Sequence, residues 1–208
     1  MQKRYLAIEG PDGSGKSTVV SLLKAKLVSM GYPAITISEP SARDVGLQVR
    51  ELLATTPRAE TVLPLLAIDR MEQADYIGEC LSEGVFVIQD RSFLSSLVYQ
   101  GERWQAATIM DLLPLSLPLP HIVVLNVSPE TCFSRVQDRL KPIEFEESLE
   151  RIKEAHGDYA SYATSGVLQA SHLRGKLRLT SVLGETCPDD VVAEVISRMR
   201  QWGMFNAS

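Results

Sequence analysis

The chain has little from which to build a metal centre or a disulfide framework. Its three cysteines (Cys80, Cys132, Cys187) and three histidines (His121, His156, His172) are scattered over 208 residues without the close pairs that zinc sites use. An odd cysteine count suits reduced thiols rather than covalent staples. Long hydrophobic runs are missing too. Nothing approaches the run of about 18 apolar residues that a membrane span needs, and the opening stretch MQKRYLAIEG has no apolar core with a small-residue cleavage site. No membrane contact and a cytoplasmic location are therefore expected. Positive charge is in deficit: 21 Lys+Arg stand against 26 Asp+Glu, a formal charge of −5. That leaves no basic field to hold a nucleic-acid backbone, so a nucleic-acid partner, or a kinase acting on one, is disfavoured. There is no internal repeat and no low-complexity tract.

The remainder is ordinary for a globular chain, 45% hydrophobic and 23% charged, and the length predicts a single domain over residues 1–208 with a sizeable core. The most informative stretch is residues 4–27, RYLAIEGPDGSGKSTVVSLLKAKL. An apolar run (Tyr5–Ile8) enters a glycine-rich turn that opens into a helical pattern, and the spacing G-x-x-x-x-G-K-S is complete from Gly10 to Ser17. Gly10, Gly13 and Gly15 allow the tight turn that aims successive N–H groups inward as an anion nest, and Ser14 lies within it. A helix starting near Lys16 adds the positive end of its dipole. Lys16 reaches the outer phosphates, and the Ser17 hydroxyl, followed by Thr18, is placed to ligate Mg²⁺. This spacing, between a strand and a helix, predicts a phosphate-binding loop.

Further along, helical and strand patterns alternate. Strands are predicted at Ala34–Ile37, at VFVIQ ending in Asp90, at His121–Val127 and at Lys176–Leu179. Helices are predicted over Val45–Leu53, Glu60–Ser82, Phe93–Tyr99, Gln105–Leu113, from Pro129 to about Leu140, Ser148–Thr164 and Pro188–Trp202. LLPLSLPLP is an apolar connector. This alternation implies an α/β fold, a parallel sheet of about five strands covered by helices on both faces.

Ligands of such sheets gather at the strand C-terminal ends. Three of these ends carry ionisable residues. Asp12 sits inside the loop, where a carboxylate beside polyphosphate is repelled unless it faces something else, a sugar hydroxyl or a Mg²⁺-bound water. Asp90 is placed to orient Mg²⁺ and Arg91 to fork a phosphate oxygen. Glu39, before Pro40, reads as a general base, a partner of metal-bound water or a structural residue.

At these residues the chain resembles the thymidylate kinases, P-loop enzymes of the nucleoside monophosphate kinase type. GPDGSGKST resembles that family's G-x-D-G-x-G-K-[ST]. EPSARDVGLQVRELL, LLAIDRMEQ, VFVIQDRSFLSSLVYQG and HIVVLNVSPETCFSRVQDRL are similar to four further family segments, in family order. The resemblance implies ATP-dependent phosphorylation of a deoxynucleoside monophosphate, usually dTMP, with ATP and Mg²⁺ as cofactors. It implies that Arg70 hydrogen-bonds the thymine edge and Arg91 bridges the acceptor phosphate, with Asp90 near Mg²⁺. Tyr99 is expected under the deoxyribose, Asp12 at the 3′-hydroxyl, and Ser95 and Ser96 beside the base. A lid at about 138–148 and a homodimer formed through the long helices are implied as well.

Several positions depart from the family. Leu66 replaces an aromatic that stacks on the base, which opens the way to a modified dUMP as substrate. Ser38 replaces an arginine, so Arg43 or Arg50 is expected to take over a phosphate contact. Neither the loop, with Ser14, nor the lid supplies its usual arginine, leaving Arg135, Arg139 and Lys141 as cations, with Arg139 assigned to catalysis. The Asp90-Arg91-Ser92 run with Glu39-Pro40 keeps a deoxynucleoside kinase open as an alternative. A non-catalytic nucleotide-binding protein is another.

Overall fold

The computed structural model describes residues 4–56, 60–138, 148–165 and 177–205. Five strands, β1 (Tyr5–Glu9), β2 (Ala34–Ser38), β3 (Phe86–Asp90), β4 (His121–Asn126) and β5 (Leu179–Leu183), form one all-parallel sheet in the order β2-β3-β1-β4-β5. Strands β1, β3 and β4 are central and almost continuously apolar, as strands buried on both faces must be. The last strand lies slightly downstream of its predicted place. It is an edge strand with only Leu179 and Val182 buried, so Thr180 and Ser181 interrupt the apolar signal without ending the ladder.

Eight helices are present among the described residues: α1 (Lys16–Ser29), α2 (Asp44–Thr55), α3 (Val62–Ser82), α4 (Phe93–Gln100), α5 (Ala106–Asp111), α6 (Pro129–Gln137), α7 (Leu149–Ser165) and α8 (Pro188–Gln201). Their ends follow local chemistry. Ser128 accepts a hydrogen bond from Thr131 N and Pro129 fills the first turn of α6. Helix α8 opens with Pro188, Asp189 and Asp190 and closes with Arg198 and Arg200, each charge matched to the dipole. None of the described helices is long and apolar enough to cross a membrane.

The period of two along each strand divides the core. Leu6, Ile8, Phe86, Ile88, Val123 and Leu125 pack on one face against Leu23 and Leu27 of α1 and Val195 and Met199 of α8. Ala7, Ile122 and Val124 face the other side, against α4, α5 and α7, and Tyr5 and Val87 meet Ala74 and Ile77 of α3. Glu9 continues the Tyr5–Ala7 face, which puts a carboxylate inside an otherwise apolar layer.

At the N-terminal ends of the strands, Tyr32, Phe86 and Phe205 form an aromatic cluster with centroids 5.2–5.6 Å apart. The Arg4 guanidinium lies 5.0 Å over Phe86 and donates to Gly84 O. The opposite ends of β1, β2 and β3 bring the loops after Glu9, Ser38 and Asp90 together. Of the segment expected as a lid, about 138–148, residues 139–147, with Arg139 and Lys141, lie outside the described residues.

Candidate active site

The loop between β1 and α1 turns on three glycines with positive φ: Gly10 (143°), Gly13 (81°) and Gly15 (92°). Gly13 carries a second constraint. A Cβ there would stand 2.1 Å from the Cys132 carbonyl oxygen, so the loop backbone rests directly on α6. Ser14 is buried beneath it. Lys16 is buried as well, and its Nζ donates to Pro11 O at 2.7 Å with Asp12 Oδ1 3.9 Å away. Burial and the neighbouring Arg91 lower the ammonium to about 8, against the opposing pull of Asp12. A phosphate chain in the loop would restore the charge that burial disfavours.

The two residues expected at the metal are brought together, since Ser17 Oγ donates to Asp90 Oδ2 at 2.6 Å. Ile8 is register partner of Asp90, so adjacent strands set this meeting. A hydroxyl and a carboxylate are hard oxygen ligands that suit Mg²⁺. Among the described residues no cluster of three or more His, Cys, Asp or Glu is placed to hold a metal ion.

Arg91 follows Asp90 with φ 67°, a positive value that a non-glycine residue rarely adopts. Its Nη2 is bonded to Asp12 Oδ1, and its Nη1 donates to Ser95 Oγ (3.1 Å) and Tyr159 OH (3.4 Å). The guanidinium carbon is 5.4 Å from the centre of the Tyr99 ring. Burial opposes its charge, but Asp12 above all, then Tyr99, Tyr159 and Glu9, hold it protonated well above its usual range. The partner of Asp12 is thus a guanidinium, an option absent from the sequence reading.

Glu39, preceding the cis Glu39-Pro40 bond, is clamped by Arg70 through Nε–Oε1 (2.5 Å) and Nη2–Oε2 (2.7 Å). Arg70 Nη2 also donates to Ser96 Oγ at 2.6 Å, while its buried Nη1 has no hydrogen-bond partner among the described residues. Burial raises the Glu39 carboxyl above its ordinary range and Arg70 offsets this.

A cleft of about 620 Å³ joins these groups. Lys16, Ser17, Thr18, Asp90 and Arg91 line its phosphate-loop side, together with Asp12, Gly13 and Gly15. Glu39, Leu66, Ser95, Ser96 and Tyr99 line it further along. Arg70 lies behind Glu39, beside a smaller cavity of about 40 Å³ shared with Tyr5, Gln73 and Gln89. Of the two arginines expected to replace the one missing at Ser38, Arg50 lines the cleft and bonds Ser38 Oγ and Pro40 O. Arg43 instead donates to Glu72 O on α3 at 2.7 Å and is not among the lining residues. It starts α2, whose direction carries it away, whereas Arg50 is two turns further along. Arg135 Nη1 donates to Gly13 O at 3.3 Å.

Sequence reasoning passed over Arg151 and Gln100, which line the cleft, and the buried pair Glu9 and Tyr159. Glu9 carried a usable signal, a charged residue ending a buried strand directly before the loop. Tyr159, about 150 residues from Glu9 in sequence, carried none.

The family model described as Thymidylate kinase matches residues 8–168. A probable thymidylate kinase of Methanobrevibacter smithii is 34% identical over 172 residues, covering 80% of this chain and 86% of its own. A thymidylate kinase of Exiguobacterium is 29% identical over 98% of this chain and 99% of its own. One from Caldicellulosiruptor saccharolyticus is 39% identical over 66% and 71%.

Proposed function

Because the chain belongs to the thymidylate kinase family, we propose that it transfers the terminal phosphoryl group of ATP to the phosphate of dTMP, giving dTDP and ADP. The observation that carries this reading is the cleft itself: a phosphate loop with a buried lysine faces a strand-end Asp-Arg pair across one cavity. In-line transfer between two phosphates needs positioned positive charge and no covalent nucleophile. In this scheme Gly10 to Ser17 hold the donor phosphates and Lys16 leaves Pro11 O for a phosphate oxygen. Arg91, held by Asp12, takes the acceptor phosphate. Ser17 and Asp90 would hold Mg²⁺, which supplies charge neutralisation between the donor phosphates. Arg135 and Arg151 flank the transfer site as cations from α6 and α7.

Leu53, Ala54 and Leu66 give an aliphatic wall for the base. Arg70, behind Glu39, fixes Glu39 and Ser96 there, and the base-edge role expected of it is assigned through these two groups. Tyr99 is assigned to the sugar, with Asp12 at the 3′-hydroxyl; Ser96 lies at the Arg70 end and Ser95 at the Arg91 end. The chain acts as one kinase domain in the cytoplasm, as a homodimer. Exposed Leu47 on α2 and Ile68, Met71 and Tyr76 on α3 offer an apolar face for that contact. Light scattering of the purified protein reports the assembly.

Activity is tested by ADP release from ATP with dTMP, dUMP, dCMP, dGMP, thymidine and a 5-modified dUMP. Preference for dTMP is the expected result. Turnover of thymidine with none of dTMP would overturn the assignment in favour of a nucleoside kinase.

A further inference from the structure

We propose that Glu9 is a positioning residue for the acceptor phosphate: its carboxylate turns the Ser95 and Tyr159 hydroxyls so that their oxygens face Arg91. The proposal rests on the reading of Arg91 as the acceptor-phosphate group. Glu9 is fully buried, at the end of β1, and lies on the strand face that looks toward α4 and α7. Its Oε1 accepts from Ser92 N (2.6 Å), Ser92 Oγ (2.8 Å) and Ser95 N (3.3 Å). Its Oε2 accepts from Ser95 Oγ (2.8 Å) and Tyr159 OH (3.0 Å). One buried carboxylate thus ties β1 to the start of α4 and to the middle of α7.

The choice of a carboxylate has a directional consequence. A hydroxyl carries one proton and two lone pairs, while a carboxylate only accepts. Ser95 Oγ and Tyr159 OH are 2.9 Å apart, and both lie within reach of Glu9 Oε2 and of Arg91 Nη1. With their protons drawn to Glu9, both oxygens offer lone pairs to the guanidinium, which has only donors. An amide at Glu9 would reverse this, because its NH₂ end makes the hydroxyls accept and turns their protons on Arg91. Glu9 therefore acts on the acceptor phosphate without touching it. Tyr159 extends the control to α7, the helix that follows the segment expected as a lid.

The test compares Glu9→Gln, Tyr159→Phe and their combination in the full chain, measuring kcat and KM separately for dTMP and ATP. Glu9→Gln is expected to lower kcat/KM for dTMP by about tenfold, the scale of one charge-assisted hydrogen bond, with KM for ATP changed less than about twofold. In the double variant no Tyr159 proton opposes Arg91, so it is expected to be no worse than Glu9→Gln alone. Equal losses toward both substrates, or losses that multiply in the double variant, would overturn the proposal. Should Glu9→Gln not fold, Ser95→Ala with Tyr159→Phe removes the two oxygens while keeping Glu9 and must show the same selective loss; an unselective loss there also overturns it. A wild-type protein without dTMP-dependent ADP release would instead overturn the functional reading beneath it.

Discussion

Replacing Gly13 with alanine should damage both stability and turnover, and the size of the effect can be worked from the contact with α6. The new methyl would meet Cys132 O at 2.1 Å, with the Cys132 carbonyl carbon at 2.8 Å and Cα at 2.9 Å, all backbone atoms that cannot rotate aside. Restoring ordinary contact of about 3.4 Å requires the loop and α6 to separate by more than 1 Å. A φ of 81° adds a further cost of about 1–2 kcal/mol for a residue bearing a Cβ. Overpacking of this kind typically costs about 1–3 kcal/mol, so the total is about 2–5 kcal/mol. For a chain of this size that lowers the Tm by roughly 4–20 °C. A cradle displaced by about 1 Å should lose on the order of 100-fold in turnover. Thermal unfolding followed by circular dichroism and a coupled ADP assay measure the two effects. Gly157→Ala is the control: it lies at an exposed position of α7 with nothing within 4 Å of its added Cβ and should stabilise by about 0.5–1 kcal/mol. Wild-type Tm and turnover in Gly13→Ala would refute the contact between loop and helix.

Three other outcomes are expected. Lys16→Ala should cut turnover by about two to three orders of magnitude through lost charge stabilisation, yet should not lower the Tm by more than a few degrees, since it removes a buried and disfavoured ammonium; a steady-state assay beside a melting curve separates the two. Arg70→Ala strands the buried Glu39 carboxylate and should destabilise by about 3–5 kcal/mol, with denaturant unfolding as the measurement. That loss should shrink as the pH is lowered and Glu39 takes up a proton. His121, buried against Trp202, is lowered from 6.5 to about 4, burial being the main cause. The unfolded chain binds the proton more readily, so stability should fall as pH drops from about 6.5 toward 4, by up to about 3 kcal/mol. His121→Phe should flatten that part of the stability–pH profile.

The phosphate loop, the strand-end Asp90-Arg91 and the first four strands were legible in the sequence because each is local: glycine spacing, apolar runs and turn chemistry are written in consecutive residues. The fifth strand, expected at Lys176–Leu179, shares only Leu179 with β5. The site's cross-connections were not. That Ser17 meets Asp90 follows from strand register. That Arg50 rather than Arg43 reaches the cleft depends on the course of α2 after the Ser41–Asp69 contact, in which Asp69 of α3 accepts from Ser41 N and Oγ. Asp12 is anomalous on electrostatic grounds alone, but its guanidinium partner follows only from the placing of β3 beside β1. Arg70 shows the reverse case. Family spacing points to a base contact, whereas packing first commits two of its nitrogens to Glu39.

The cluster of Arg4, Tyr32, Phe86 and Phe205 has a practical corollary. The first and last described stretches of the chain converge on the starts of the parallel strands, while the nucleotide cleft opens at their far ends. A fluorophore, affinity handle or surface tether attached at Arg4 or Phe205 would stand at the floor of the molecule. Immobilised through either point, the enzyme should present its open mouth to the bulk solution and keep its kinetics.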